Sequence, residues 1–267
     1  MKINSLANVI PSAVVSSLFE DNVLIAYSGH NPDVIERKLQ DAVNRIARWA
    51  KFNGFRFSPT KTTMMEFFEK REPVRVISLF MNGTVIKKSE NAKFLGLTWD
   101  AKLNWITHIH NIKSKCAKDL NLMRSVSGSK WGADQETLLR IYRALIRSKI
   151  DYGCIVYGSA SETALKHLDV VVNDAMRIST GAFKSTPIKN LNILCNEPEL
   201  KLRRYDLMLR YYFKLKCHLQ NPAYSSLIDD RLELYFNSRQ YTMKPVIMRC
   251  AKLSINTELS PNQFNFT

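Results

Sequence analysis

The spacing of apolar and polar positions changes near residue 100, and this change predicts two kinds of structure. Before that point, apolar residues cluster in short β-rich runs such as residues 14–19 and 23–27. Glu20, Asp21 and Asn22 separate these two runs, and side chains of this kind favour a tight hairpin turn. After residue 100, apolar residues recur at steps of three and four, which is typical of amphipathic helices. The pattern therefore predicts an α+β chain with antiparallel strands first and several helices afterwards.

One helix is predicted inside the β-rich part. Asn31 is a suitable N-cap, Pro32 suits the first helical position, and Gly54 suits the C-terminal end. One apolar face is predicted between these signals, formed by Ile35, Leu39, Val43, Ile46 and Ala50. The remaining strands are predicted at residues 55–58, 63–68, 74–80, 84–88 and 94–98. Asn82-Gly83 lies between two of these runs and predicts a second hairpin.

The helical part carries its own start and stop signals. Its first helix is predicted to bury Trp105, Ile109, Ile112, Cys116, Leu120 and Met123. Asp134 and Ser161 are candidate N-caps, Gly181 is a candidate stop, and Asn196 and Pro198 separate two more helices. The pattern weakens after residue 221. The predicted organisation is residues 1–100, a basic helical region at 101–220, and a partly disordered extension at 221–267.

Charge is concentrated in the helical region. The chain has a formal net charge of +15, from 39 Lys+Arg and 24 Asp+Glu. Residues 101–220 hold 20 basic and 10 acidic residues, against 14 and 10 in residues 1–100. This density of positive charge favours a polyanionic partner such as nucleic acid, although a solvated basic surface has the same composition. The basic residues lie beside acidic residues on the same predicted helices, and no stretch of 18 or more apolar residues exists, so we expect no membrane partner.

Cysteine and histidine spacing argues against a metal or disulfide framework. The five cysteines are far apart and form no Cys-x-x-Cys pair, which predicts reduced thiols in an intracellular protein, nuclear or cytoplasmic. His108 and His110 are two residues apart, and this spacing turns them to different sides of a helix. His167 stands alone in the sequence. No histidine metal site is predicted.

Several short motifs along the chain are not specific for any family when taken singly, but their order and spacing together are. They are residues 19–22, 54–62 and 93–96, followed by Tyr142-Arg143-Ala144-Leu145 and Asp151-Tyr152-Gly153. In this order, across about residues 4–230, they resemble the reverse transcriptases of non-long-terminal-repeat retrotransposons, especially arthropod jockey-like elements. The resemblance implies the end of a polymerase palm, with antiparallel strands and a helix, followed by an all-helical thumb-like region.

The same resemblance implies RNA-templated DNA synthesis with Mg²⁺ as the cofactor and with an RNA template and a DNA primer as partners. In the family, two adjacent aspartates in the hairpin turn hold the catalytic metal ions. Asp21 matches the first position and is implied as the metal ligand, whereas Asn22 occupies the second catalytic position with an uncharged amide. The family's fingers, and a palm strand with a further catalytic aspartate, would precede Met1. We therefore expect no polymerase activity from this chain alone.

The implied nucleic-acid contacts lie in both parts of the chain. Lys61 matches a lysine near the incoming nucleotide, and Lys93 and Gly96 match the region of the primer grip. The basic helices interleave cations with aromatic rings, which suits a groove that follows a phosphate backbone. The candidate contacts there are Lys113, Arg140, Arg143 and Arg147, in a run that also holds Lys115 and Lys118. A non-enzymatic nucleic-acid-binding module and a helical interaction scaffold remain as alternative functions.

Overall fold

Two compact units divide the chain, residues 1–103 and residues 104–267. The computed structural model describes residues 2–67, 77–128, 132–218, 220, 221, 223 and 224. The first unit contains all the described strands, and the second is helical, so the predicted α+β class is confirmed. The extension predicted at residues 221–267 lies almost entirely outside the described residues.

A hairpin and one long helix form the first half of the β-rich unit. A 3₁₀-helix spans Lys2–Val9, and the antiparallel strands β1 (Val15–Phe19) and β2 (Asn22–Ala26) follow it. Helix α1 then spans Pro32–Asn53. The predicted hairpin and the predicted helix are therefore both confirmed.

The signals at the ends of α1 act as predicted. The side chain of Asn31 accepts a hydrogen bond from the backbone N–H of Asp33 at 2.9 Å, which satisfies one of the free amide groups of the first turn. Gly54 ends the helix in the left-handed conformation, with φ of 73°. Pro32 stands at the helix start, where its missing N–H costs nothing.

Six short strands complete this unit. They are β3 (Thr63–Met64), β4 (Phe80–Met81), β5 (Thr84–Val85), β6 (Lys87–Lys88), β7 (Asn91–Phe94) and β8 (Leu97–Asp100). Strand β3 pairs with β6 in parallel, whereas β4–β5 and β7–β8 are antiparallel hairpins. Asn82 and Gly83 form the predicted turn with φ of 51° and 79°. Leu95 and Gly96 form a second turn of the same kind, with φ of 46° and 79°, which was not predicted.

The strand predicted at residues 55–58 is wrong. The backbone N–H of Phe55 donates to the carbonyl of Ala50 at 2.9 Å, and its ring stacks on Trp49 with centroids 5.2 Å apart. These contacts hold the segment against the end of α1 instead of pairing it in a sheet. The strand predicted at residues 63–68 is shortened to β3, and residues 68–76, which include the first three residues of the strand predicted at 74–80, are not among the described residues.

Helix α1 is the centre of both hydrophobic clusters in the β-rich unit. One of its faces packs against the N-terminal segment and the first hairpin, with Ala42, Ile46, Trp49 and Ala50 buried. Val43 belongs to a second cluster that includes residues of β3 and β4. Helix α1 therefore connects sheets that do not pair with one another.

The helical unit consists of seven α-helices among its described residues, with one π-helical segment between two of them. They are α2 (Ile106–Val126), α3 (Gln135–Ile141), the π-helical segment (Tyr142–Arg147), α4 (Ser148–Asp151), α5 (Cys154–Tyr157), α6 (Glu162–Thr180), α7 (Ile188–Cys195) and α8 (Leu200–Cys217). Asp134 and Ser161 cap α3 and α6 as predicted, and Gly181 ends α6 with φ of 65°. The described residues contain no helix with the length and apolar character needed to cross a membrane.

The core of this unit forms where α2 packs against α6. The six predicted core residues of the first helix, Trp105 to Met123, are all buried. The π-helical segment adds Tyr142 and Ile146 to the core, and both are almost completely buried. A π-helical turn is wider than an α-helical one and is frequently found at functional positions.

Candidate functional site

The acidic turn of the first hairpin is exposed and small. Glu20 and Asp21 form the two-residue turn, with Glu20 at φ of 52°, and Asn22 is the first residue of β2. The side-chain amide of Asn22 donates to Oδ1 of Asp21 at 3.2 Å. One carboxylate and one amide therefore lie side by side in this turn.

These residues do not fit the pair of Mg²⁺ ions that the family resemblance implies. Two adjacent divalent ions need several negatively charged oxygen ligands. Asn22 brings no charge, and its amide nitrogen faces the carboxylate as a donor. Among the described residues, no group of three or more His, Cys, Asp or Glu side chains is arranged to hold a metal ion. No catalytic step is therefore assigned to this turn.

The other candidates in the β-rich unit lie in exposed turns and strands. Lys61 is in the predicted turn at residues 58–62, where the Thr62 hydroxyl donates to the carbonyl of Ser58 at 2.8 Å. Lys93 is exposed on β7. Gly96 occupies the left-handed position of the turn between β7 and β8. A backbone requirement therefore explains this glycine without a ligand.

Two of the predicted arginines converge on a buried glutamate. Nε of Arg143 lies 2.7 Å from Oε1 of Glu197, and Nη1 of Arg147 lies 2.9 Å and 3.0 Å from its two carboxylate oxygens. The Glu197 side chain is 2% exposed, whereas those of Arg143 and Arg147 are 36% and 25% exposed. We name these three residues the glutamate clamp. It joins the π-helical segment to the loop between α7 and α8.

Several further cations of the helical unit are also paired. Arg140 pairs with Glu136 at 2.5 Å on the exposed side of α3. Lys149 pairs with Asp119 at 2.6 Å, and the guanidinium of Arg203 binds the carboxylate of Asp151. Part of the positive charge of the helical unit is therefore engaged in ion pairs, either within one helix or between two helices. Pairing of this kind does not prevent a contact with phosphate, but it reduces the charge that each residue offers.

Helix α2 has a different kind of surface. Its only acidic residue is Asp119, which Lys149 neutralises. Lys115 and Lys118 are exposed on the side away from the core, and neither forms an ion pair with a described residue. We name this side the lysine face, formed by Asn111, Ser114, Lys115, Lys118, Asn121 and Ser125. Lys113, the predicted contact on this helix, is half-buried nearer the core.

The buried thiols of the helical unit are not arranged for nucleophilic chemistry. Cys116, Cys154 and Cys195 are buried and form no disulfide. Burial raises the pKa of Cys116 and of Cys195 to about 11, and that of Cys154 to about 12. Thiols with such pKa values are almost fully protonated at neutral pH and react poorly. The predicted burial of Cys116 is confirmed, and all three thiols are small core side chains.

The glutamate clamp was missed from sequence because its partners lie about fifty positions apart. Helical periodicity shows that Arg143 and Arg147 share a face, since they are four residues apart. Nothing local shows that Glu197 is buried, because it follows Asn196 in a polar connection between two helices. Asn196 has φ of 50°, and its left-handed backbone conformation turns the chain directly before Glu197.

Several curated proteins similar to this chain are described as RNA-directed DNA polymerases. The probable RNA-directed DNA polymerase from transposon BS of Drosophila melanogaster is 22% identical over 219 residues, which are 80% of this chain and 24% of that protein. The RNA-directed DNA polymerase from mobile element jockey of the same species is 22% identical over 218 residues, 78% of this chain and 24% of that protein. The probable polymerase from transposon X-element is 22% identical over 163 residues, 61% of this chain and 18% of that protein.

These similarities define a class of protein, the RNA-directed DNA polymerases of mobile elements. More particularly, the curated homologues are jockey-like and other non-long-terminal-repeat retrotransposon polymerases, which confirms the resemblance read from the sequence motifs. The chain spans about a quarter of the length of the first two relatives. No protein-family model and no solved structure matches it.

Proposed function

We propose that this chain binds the template–primer duplex as part of a retrotransposon RNA-directed DNA polymerase and does not synthesise DNA by itself. The observation that carries the proposal is the lysine face of α2. It combines two exposed lysines, which form no ion pair with a described residue, with hydroxyl and amide side chains, and it has no acidic residue. The homologues support the choice of nucleic acid as the ligand, since their names are those of polymerases.

The chemistry of this face suits a phosphate backbone. Ammonium groups neutralise phosphates and release bound counterions, which supplies most of the affinity of contacts that do not read base sequence. Ser and Asn side chains are common hydrogen-bond partners of phosphate and sugar oxygens. Lys115 and Lys118 are three residues apart on one helix, so they are neighbours on its surface.

Binding is measured by fluorescence anisotropy with a labelled RNA–DNA hybrid duplex at several salt concentrations. We expect the logarithm of the affinity to fall linearly with the logarithm of the salt concentration, with a slope of about −0.9 for each phosphate neutralised. Replacement of both lysines, Lys115→Gln with Lys118→Gln, is expected to reduce the magnitude of that slope by about 2.

The matched control is Lys184→Gln with Lys189→Gln. These lysines are also exposed and unpaired among the described residues, and their loss changes the net charge by the same amount. We expect a clearly smaller change in the slope. An equal change from both pairs of substitutions would show attraction by overall charge and would contradict a contact on α2.

The same proposal predicts no DNA synthesis, because the described residues hold one aspartate in the hairpin turn and no metal cluster around it. Primer extension by the purified chain with Mg²⁺ tests this directly. We expect no extension, and we expect none from Asn22→Asp, because the substitution restores only the second aspartate of the turn and the described residues form no metal-binding group around it. Extension by the unmodified chain would refute this part of the proposal.

A helical interaction scaffold is the second candidate function, and the surface of α7 favours it. Ile193 and Leu194 are 77% and 57% exposed, and Ile188 at the helix start is 45% exposed. Apolar side chains grouped in this way mark interaction surfaces more often than isolated ones do. Ile193→Ser with Leu194→Ser, which keeps the net charge, is expected to leave duplex binding unchanged. The scaffold function would be supported if the chain bound a protein partner independently of salt and this double substitution abolished that binding.

A further inference from the structure

The structure brings together two histidines that are 57 positions apart in the sequence. His110 is on the second turn of α2, and His167 is on the second turn of α6. Their ring centroids are 5.2 Å apart, with an angle of 40° between the ring planes. Both lie on the wall of a surface pocket of ≈ 140 Å³, whose other lining residues are Ile106, Ile109, Ser161, Thr163 and Ala164.

We infer that His110 and His167 form a binding site for a divalent transition-metal ion of the zinc class. This site is separate from the acidic hairpin turn and does not depend on the proposed duplex binding. Neutral imidazole is the side chain that Zn²⁺, Ni²⁺ and Cu²⁺ bind most often with nitrogen. Solvent, which reaches the open pocket, would supply the remaining ligands.

The separation of the rings matches two imidazoles in one coordination shell. With metal–nitrogen bonds of about 2.0–2.1 Å and about 1.1 Å from nitrogen to ring centroid, a tetrahedral angle puts the two centroids about 5 Å apart. The observed 5.2 Å agrees with this value. The two helices pack directly against each other, so this spacing is set by the core beneath the pocket.

Both rings are free to act as ligands. Neither His110 nor His167 forms a hydrogen bond or an ion pair with another described residue. His110 is exposed and His167 is half-buried, so solvent and ions reach them. His108 is a useful contrast, because it is buried between the rings of Trp105 and Tyr157 and burial lowers its pKa.

The pocket also contains groups that orient metal-bound water. Ser161 and Thr163 lie on its rim, and hydroxyl oxygens accept hydrogen bonds from water bound to a metal. The Ser161 hydroxyl already accepts from the backbone N–H of Ala164 at 3.2 Å, which satisfies the first turn of α6. Because of that contact, the backbone amide of Ala164 at the start of α6 is not free to bind an anion.

The test is a titration of the full chain with Zn²⁺, followed by NMR of the histidine Cε1–H signals. We expect the signals of His110 and His167 to shift together with one midpoint, at about one ion per chain. His110→Gln and His167→Gln are each expected to weaken the affinity at least about tenfold, since loss of even a supporting contact costs that much. His110→Cys is expected to keep the affinity, because a thiolate also binds zinc.

Three further titrations distinguish this site from metal binding elsewhere on the chain and from anion binding in the same pocket. Cys217→Ser with His218→Gln removes an adjacent exposed pair and is expected to leave the affinity unchanged. Mg²⁺ is expected to shift neither signal, because a hard cation prefers oxygen ligands. Inorganic phosphate is also expected to shift neither signal, because the proposed site binds a cation. The inference is overturned if phosphate shifts both signals and Zn²⁺ does not, or if His110→Gln binds zinc as well as the unmodified chain.

Discussion

Each of the two units is stabilised internally by a different kind of packing. In the helical unit, α2 and α6 share a continuous core, and the glutamate clamp adds a buried connection to the α7–α8 loop. In the β-rich unit, the eight described strands pair into four two-stranded sheets. Isolated two-stranded sheets are marginally stable in water. Helix α1 therefore connects the sheets of its unit, whereas in the helical unit α6 packs against α2, α3 and α7.

The β-rich unit also has exposed strand edges, whereas exposed apolar side chains occur in both units. On the first hairpin, Val15 is 69% exposed and Phe19 is 53% exposed. Both strands of that hairpin have a free edge among the described residues. Exposed apolar strands with free edges favour aggregation. The helical unit, in contrast, has no strand edge among its described residues.

The largest effect is expected from Trp49→Ala in α1. Trp49 is 7% exposed, stacks on Phe55, and donates from Nε1 to the hydroxyl of Ser5 at 3.1 Å. Its removal should lower the free energy of unfolding of the β-rich unit by about 3–5 kcal/mol. Hydrogen exchange of the α1 amides measures this, and Phe52→Ala on the same helix is the control, because Phe52 is 82% exposed. Similar exchange in both variants would show that α1 does not support the unit.

Glu197→Gln is expected to produce the largest effect in the helical unit. The substitution leaves the guanidinium groups of Arg143 and Arg147 without their buried partner, which costs about 3 kcal/mol. Denaturant unfolding followed by helical circular dichroism measures the change in free energy. The control is Glu136→Gln, which removes an exposed pair with Arg140 and should cost less than about 0.5 kcal/mol. Equal losses would mean that the clamp is no stronger than a surface pair.

Local signals predicted much of this fold, and long-range contacts account for what they missed. Asn31, Asp134 and Ser161 were identified as caps because a cap depends on residues two or three positions away. Residues 55–58 were wrongly assigned to a strand because their β-rich composition carries no information about the stacking on α1. The glutamate clamp and the His110–His167 pair join positions that only the folded chain brings together.

The Leu95–Gly96 turn gives a smaller effect that concerns the sheets alone. Gly96 has φ of 79°, and an alanine in the left-handed region costs about 1–2 kcal/mol. Gly96→Ala should therefore destabilise the β7–β8 hairpin by about that amount, measured by hydrogen exchange of the paired amides. The control Gly29→Ala should cost little, because its new methyl group would lie in ordinary contact, 3.4 Å from Tyr27. Weakened binding of the duplex by Gly96→Ala without loss of stability would support the implied primer-grip role.

The smallest effect concerns the charge at the start of α3, where Asp134 caps the helix. Hydrogen bonds from Thr137 hold the pKa of Asp134 below its ordinary value of 3.8. A carboxyl group with a lowered pKa in the folded chain stabilises the fold above its unfolded pKa and loses that contribution as the pH falls through the folded pKa. Asp134→Asn keeps a cap but removes the charge from the N-terminal end of the helix dipole. The melting temperature of the unmodified chain should therefore exceed that of Asp134→Asn at pH 7, and the difference should shrink only as the pH falls below the ordinary pKa of 3.8 and through the lowered pKa of the folded chain. A difference that stays constant between pH 7 and pH 3 would show that the side chain acts at this position by its shape and hydrogen bonding, without a contribution from its charge.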